Sequence, residues 1–238
     1  MSDDVGCLLA ESRRLRDGEQ VDSAIRLLDL AEAQLQQCAR QAGRADHRIP
    51  AQHYEVLMEL GDCHAALAQY ADARTCYTRA GRLAPERPQP HIALGVVAVE
   101  GCDLSEAQAH FRDALELAPA SAEAYGGLAM VAQQRQAYGE ALELYLRCLE
   151  LDSDNLVALL GLFQTSCQMG TFAKIIYFLE IYLARHPDDA SVLFCLATLQ
   201  AREGLLDQAA ESLLSVLRLE PGKVEAANLL AQVRQAKA

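Results

Sequence analysis

The sequence predicts an all-α solenoid made of helical hairpins, and three observations predict it. Apolar residues recur three and four apart in paired stretches, Tyr125, Leu128, Ala129 and Ala132 on one face, then Ala141, Tyr145 and Cys148 on a second. The same residue types return when the chain is shifted by 34 residues, as in the column Leu60, Leu94, Leu128, Leu162 and Leu196. A ladder of breakers closes each pair: Pro85, Pro119, Pro187 and Pro221 stand in register, with Ser153 on the remaining rung. Proline lacks the N–H that a continuing helix needs.

Taken in order, residues 5–43 read as a divergent first hairpin that covers one end of the stack. Leu8, Ser12 and Leu15, then Ala24, Leu28 and Ala31, keep the spacing across an Asp17-Gly18 turn, and the second helix is expected from about Glu19 to Gln41. Residues 44–53 are a polar linker and helix start. Five regular units follow, at 54–87, 88–121, 122–155, 156–189 and 190–223. Pro88 sits where a helix begins, a place that tolerates proline. Asp103-Leu104-Ser105-Glu106 reads as a capping box, with Asp103 taking an orphan amide and Glu106 reaching back. Asp152/Asp154 and Asp188/Asp189 fall at junctions between units and read as caps. Unit 156–189 departs most, with Phe163, Ile175 and Tyr182 in columns that elsewhere hold small residues. Residues 224–238 supply one capping helix, with Ala227, Leu230 and Ala231 toward the stack.

Three further columns sharpen the pattern. Gly61, Gly95, Ala129, Phe163 and Ala197 are mostly small, as are Ala73, Ala107, Ala141, Ile175 and Ala209; Tyr77, Phe111, Tyr145, Leu179 and Leu213 are large. In these columns the chain resembles the tetratricopeptide repeat, over the five units from Tyr54 to Lys223. The resemblance implies a right-handed α–α superhelix forming a single solenoid domain, with the first helix of each unit lining a concave groove. Below about 40 residues a core rarely stands alone, so stability is expected to come from stacking.

The bulk numbers exclude several classes. With 21 basic against 33 acidic residues the net charge is −12, which disfavours nucleic acid and anionic membrane surfaces. No apolar run approaches a membrane span, so no membrane insertion is expected. The eight cysteines show no Cys-x-x-Cys pair and read as free thiols in a reducing compartment. The acidic start Met1-Ser2-Asp3-Asp4 lacks the head and apolar stretch of a secretory signal, and the expected location is cytoplasmic.

Catalytic constellations are missing from the sequence. Gly126-Gly127 lies inside a helical stretch without the Lys-Ser/Thr of a phosphate loop, and the six histidines do not cluster along the chain. The sequence therefore predicts no catalytic, cofactor-binding or metal-binding residues and no cofactor.

What the resemblance implies for binding is a groove. Carried onto this chain, its partner-binding residues are Met58, Ile92, Val96, Val99, Gly126, Gly127, Met130, Gln133, Leu160, Gln164 and Phe194. Glu55, Glu59, Asp62 and Glu123 form an acidic entrance. Gly126 and Gly127 serve either close approach of a bound segment or tight packing between units. Cochaperones of the family grip acidic chaperone tails with a Lys/Asn/Asn/Lys/Arg clamp; here Met58, Asp62, Ala93, Glu123 and Gly127 stand at such places, and no cation offsets a carboxylate's desolvation. The expected function is a non-catalytic, chaperone-like adaptor or scaffold that takes an apolar or amphipathic peptide or helix of another protein, with basic flanks. The alternatives are a homo-oligomeric structural scaffold and an accessory subunit of an enzyme or of a secretion or assembly complex.

Overall fold

Helical spacing in the sequence becomes thirteen helices, and no strand, among the described residues of the computed structural model, which describes residues 2–18, 20–42 and 48–237. The expected linker residues Gly43 to His47 lie outside them. The chain divides into two compact units, Met1–Val131 and Ala132–Ala238, each described by itself.

In the first unit, α1 (Ser2–Asp17) and α2 (Val21–Ala42) form the divergent hairpin, packed on α3 (Arg48–Ala66) and α4 (Tyr70–Leu83). Val5, Leu9, Ala24, Leu28, Ala31 and Leu35 join Val56, Leu60, Cys63 and Cys76 in one core. The expected Leu8 is only partly buried, because Val5 and Leu9 take the inward face. Residues Arg48 to Pro50 already belong to α3, so the helix starts earlier than the linker reading placed it. α5 (Gln89–Glu100) and α6 (Leu104–Leu117) make the next hairpin, and α7 (Ala122–Gln134) begins the following one and crosses into the second unit. The second unit continues with α8 (Tyr138–Leu151), α9 (Leu156–Met169), α10 (Ala173–Arg185), α11 (Ala190–Arg202), α12 (Leu206–Leu219) and α13 (Val224–Ala236).

The repeat columns are the core. Ala73, Ala107, Ala141, Ile175 and Ala209 are all fully buried, as are Tyr77, Phe111, Tyr145, Leu179 and Leu213 to within a few per cent. At the far end Ala226, Leu230 and Val233 of α13 close over Leu213 and Val216. Ala227 and Ala231, expected to face the stack, are exposed, because no second helix follows α13 to cover them among the described residues.

The turns repeat as faithfully as the helices. Gln69 N donates to His64 O (2.8 Å), Asp103 N to Ala98 O (2.9 Å), Ala137 N to Ala132 O (2.9 Å), Thr171 N to Ser166 O (3.2 Å) and Leu205 N to Gln200 O (2.8 Å). Each bond spans five residues, closes a first helix as a Schellman motif, and requires a left-handed residue just before the donor. That residue is Ala68 (φ 57°), Cys102 (φ 60°), Gln136 (φ 62°), Gly170 (φ 68°) or Gly204 (φ 76°). Only two of the five hold the glycine that this conformation favours. The second helices end in a matching way, with the amides of Ala84, Ala118, Asp152, His186 and Glu220 bonded four residues back.

Of the expected caps, Asp103 and Asp189 act as such, whereas α9 is capped by Asn155 rather than by Asp152 or Asp154. Asp103 accepts from Glu106 N at 3.0 Å, but the Glu106 side chain does not reach back; it takes Arg74 Nη1 at 2.5 Å, because a guanidinium is the stronger donor. Asn155 caps α9 through Ala158 N, and Asp189 caps α11 through Ser191 N and Val192 N. Asp154 pairs with Arg185 at 2.7 Å. All eight cysteines are free thiols; burial pushes Cys63 and Cys76 up to about 11, whereas Cys7 and Cys102 are exposed.

Two predictions follow from these turns and thiols. Gly170→Ala and Gly204→Ala should each lower unfolding stability by about 1 kcal/mol, since a Cβ strains the left-handed conformation, as urea denaturation will read. In native protein a thiol reagent should modify Cys7 and Cys102 ahead of Cys63, Cys76 and Cys148, which should become reactive only on unfolding.

Candidate protein-binding surfaces

In the first unit the expected groove residues sort into three environments. Ile92 and Met130 are half-buried against Phe111, Ala98 and Val131, and Val99 is buried with them at 4% exposure. Met58 packs half-buried on Tyr54, Leu57 and Ala80. Of the large apolar groove residues in this unit, Val96 alone faces outward, 43% exposed. Val99 is therefore core rather than groove: α6 closes over the last turn of α5 and covers it.

The glycines resolve in favour of packing. A Cβ on Gly127 would overlap the Phe111 ring, and one on Gly95 would stand 2.7 Å from the same ring. Gly127 is buried, so it is not open for a bound segment, while its neighbour Gly126 is half-buried. One aromatic side chain thus needs a notch in its own hairpin and another in the following helix.

The acidic entrance is corrected more sharply. Glu55 and Glu123 are exposed as expected. Glu59 is buried, with Arg13 Nε at 2.5 Å and Arg16 Nη1 at 2.7 Å from its two oxygens. Asp62 accepts from Tyr77 Oη at 2.8 Å and lies 3.4 Å from Arg16. Burial pushes the Asp62 carboxyl up, and the tyrosine hydroxyl works against that shift. Basic residues do occupy this acidic site, but they come from α1 of the same chain. Glu59 is thus not available to the basic flank of a partner, while Asp62 stays partly exposed. Beside them a cavity of about 520 Å³ is lined by Arg13, Met58, Glu55 and Arg87, whose guanidinium lies 4.5 Å over the Tyr54 ring.

The second unit keeps more of its expected face open. Val157 and Leu160, one turn apart on α9, are 65% and 44% exposed, and Gln164 follows on the same side. Gln133 accepts from Tyr145 Oη at 2.6 Å and donates to Gln164 at 2.9 Å, a polar rung that fixes this edge. Phe194 is half-buried, with Lys223 Nζ 5.4 Å from its ring centroid. Gly161 is buried, and a Cβ there would overlap Tyr145.

Two features escaped the sequence reading. A cleft of about 760 Å³ between α8 and α10 is lined by Leu146, Phe178, Ile181 and Tyr177, the last 59% exposed. Its signal was present: α10 is apolar around nearly its whole circumference, more than one packed face can use. The second is a histidine pair. His91 on α5 and His110 on α6 bring their rings to 5.9 Å between centroids, in a cleft of about 580 Å³ with Arg74, Tyr77 and Glu106. Burial lowers the His110 pKa against the opposing pull of Glu106. Lying 19 positions apart, the two show no motif along the chain.

The two units are thus stacks of short helical hairpins whose small and large columns interlock, an all-α repeat protein. Models of the tetratricopeptide repeat match residues 92–155 and 178–224, and another matches 54–87; the chain belongs to this family. A search of curated proteins finds no match. Solved structures share the fold at low identity. The Cut9–Hcn1 hetero-tetramer of the APC/C is 16% identical with a TM-score of 0.66, covering 97% of this chain and 42% of that one. YrrB, described as a protein of this family with an unusual peptide-binding site, is 23% identical with a TM-score of 0.59, covering 68% and 83%. Yeast Tom70 is 18% identical with a TM-score of 0.60, covering 92% and 49%. The chain thus spans less than half the length of the Cut9–Hcn1 and Tom70 chains. Among the described residues no helix is long and apolar enough to cross a membrane.

Gly161→Ala should cost about 1–3 kcal/mol by overfilling the contact, and Tyr145→Leu should recover part of the loss in a double-mutant cycle. Replacing Arg13 and Arg16 together by Ala should cost about 1–3 kcal/mol, between an exposed and a buried pair, by leaving Glu59 without a cation. Urea denaturation measures both.

Proposed function

We propose that the chain is a non-catalytic interaction scaffold that captures an apolar or amphipathic segment of a partner protein on its first-helix faces. Tetratricopeptide repeats serve as protein-interaction modules, and the outward side chains here supply the chemistry. The observation that carries the reading is the exposure of Val157 and Leu160 on α9, with Val96 on α5 exposed in the first unit. Large apolar groups at neighbouring turns of one helix face raise the free energy while they stand in water and lower it when a partner's side chains cover them. Each anchor accounts for about 1.5–3 kcal/mol when fully covered. Glu55 and Glu123, both exposed, remain available to basic residues flanking such a segment. Adaptor or assembly-chaperone work follows from this mode, because the groups engaged bind and orient polypeptide without reacting with it.

A second reading places the partner in the cleft between α8 and α10, and Tyr177 favours it: an aromatic ring 59% exposed is a typical anchor. Two variants, one double and one single, separate the readings. Val157→Glu with Leu160→Glu should abolish co-purification of the partner from the native extract while circular dichroism shows unchanged helicity; Tyr177→Ala should leave capture intact. The reverse pattern would move the site to the α8–α10 cleft. Capture unaffected by either variant would overturn both.

A further inference from the structure

We propose that His91, His110 and Asp113 form a binding site for a divalent transition-metal ion, with Zn²⁺ the best fit. One donor atom from each residue lies within 4.8 Å of the other two. His91 Nδ1 is 3.5 Å and His110 Nδ1 4.0 Å from the same oxygen, Asp113 Oδ2. These separations are too long for good hydrogen bonds and close to the edge of a coordination tetrahedron, roughly 3.3 Å for zinc bonds near 2.0 Å. A small closing movement of the half-exposed Asp113 would bring the set onto one ion.

The state of the ring nitrogens is the independent observation. Nδ1 of His91 and Nδ1 of His110 are both shielded from solvent, and neither has a hydrogen-bond partner. Shielded polar atoms normally find a partner, and two unpaired nitrogens facing one carboxylate oxygen form a donor set that suits a cation. The other edge of His110 is also arranged for this purpose. Its Nε2 faces Glu106 Oε1 at 3.7 Å, and Arg74 Nη1 holds that carboxylate at 2.5 Å. At 3.7 Å Nε2 and Oε1 are not hydrogen-bonded, but a proton on Nε2 would face this carboxylate and leave Nδ1 as the electron-pair donor.

The local fold supplies the geometry. His110 and Asp113 stand one turn apart on α6, and His91 approaches from the first turn of α5, the antiparallel partner in the same hairpin. Two imidazoles and a carboxylate are borderline ligands, suited to Zn²⁺ more than to Ca²⁺ or Mg²⁺. Three protein donors leave a fourth position for water. A bound ion would cross-link α5 to α6 beside the cleft lined by Tyr77 and Pro90.

The test uses the untagged full chain, stripped with chelator and titrated with ZnCl₂ in a calorimeter, and with CoCl₂ in a spectrophotometer. One Zn²⁺ per chain is expected, together with a tetrahedral Co²⁺ spectrum lacking the thiolate charge-transfer band that the eight cysteines could otherwise produce. His91→Ala and Asp113→Asn should each weaken binding by at least about tenfold, and Zn²⁺ should raise the thermal midpoint of the wild type but of neither variant. Two separate variants guard against one failing to fold. The proposal is overturned by an absence of zinc binding in the wild type, by a thiolate band in the Co²⁺ spectrum, or by variants that both bind zinc as tightly as the wild type.

Discussion

A ring pressed into a notch is the contact on which the structure depends. Phe111 lies against Gly95 in its own hairpin and against Gly127 in the next helix; Tyr77 fills the space at Gly61, and Tyr145 fills the space at Gly161. A single side chain thus joins a hairpin internally and also welds it to its successor. Neither contact survives a methyl group at the glycine, and interiors at crystal-like packing density have no slack to absorb one. Volume is conserved along the column. Where the ring is reduced to Leu179 or Leu213, the position equivalent to Gly127 and Gly161 grows to Cys195 and Leu229, and Leu213 shares a core with Leu229.

This constraint reassigns the surface. Glu59 and Gly127, both expected at a groove, share a repeat column with Gly161, and all three are buried. This column faces the preceding hairpin instead. For α3 the preceding hairpin is the divergent one, which presents Arg13 and Arg16 rather than a ring, so a carboxylate at Glu59 is the matching residue. Charge complementarity there does what volume complementarity does elsewhere, and it withdraws Glu59 from the expected acidic entrance while Asp62 stays partly exposed.

Legibility followed the range of the interaction. Helices and hairpin order were readable because periodicity, caps and prolines act within a few residues; Asp103 and Asp189 cap where their spacing places them. The left-handed turn residues were not, since Ala68, Cys102 and Gln136 hold that conformation without being glycine. Turn closure by five-residue hydrogen bonds offsets the strain, and no local preference announces it. Among the candidate surface residues, Val96, Leu160, Gln164, Glu55 and Glu123 are exposed as expected, while Val99, Gly127 and Glu59 turn inward.

By itself the amino-acid sequence determined the tetratricopeptide class and the register of the helical hairpins, because each depends on residue type at fixed spacing. Only the tertiary structure decided that α1 supplies the cations at Glu59, that Tyr177 stands free beside a cleft, and that His91 and His110 meet. These depend on how neighbouring helices turn toward one another, which packing sets through contacts between residues far apart in the chain.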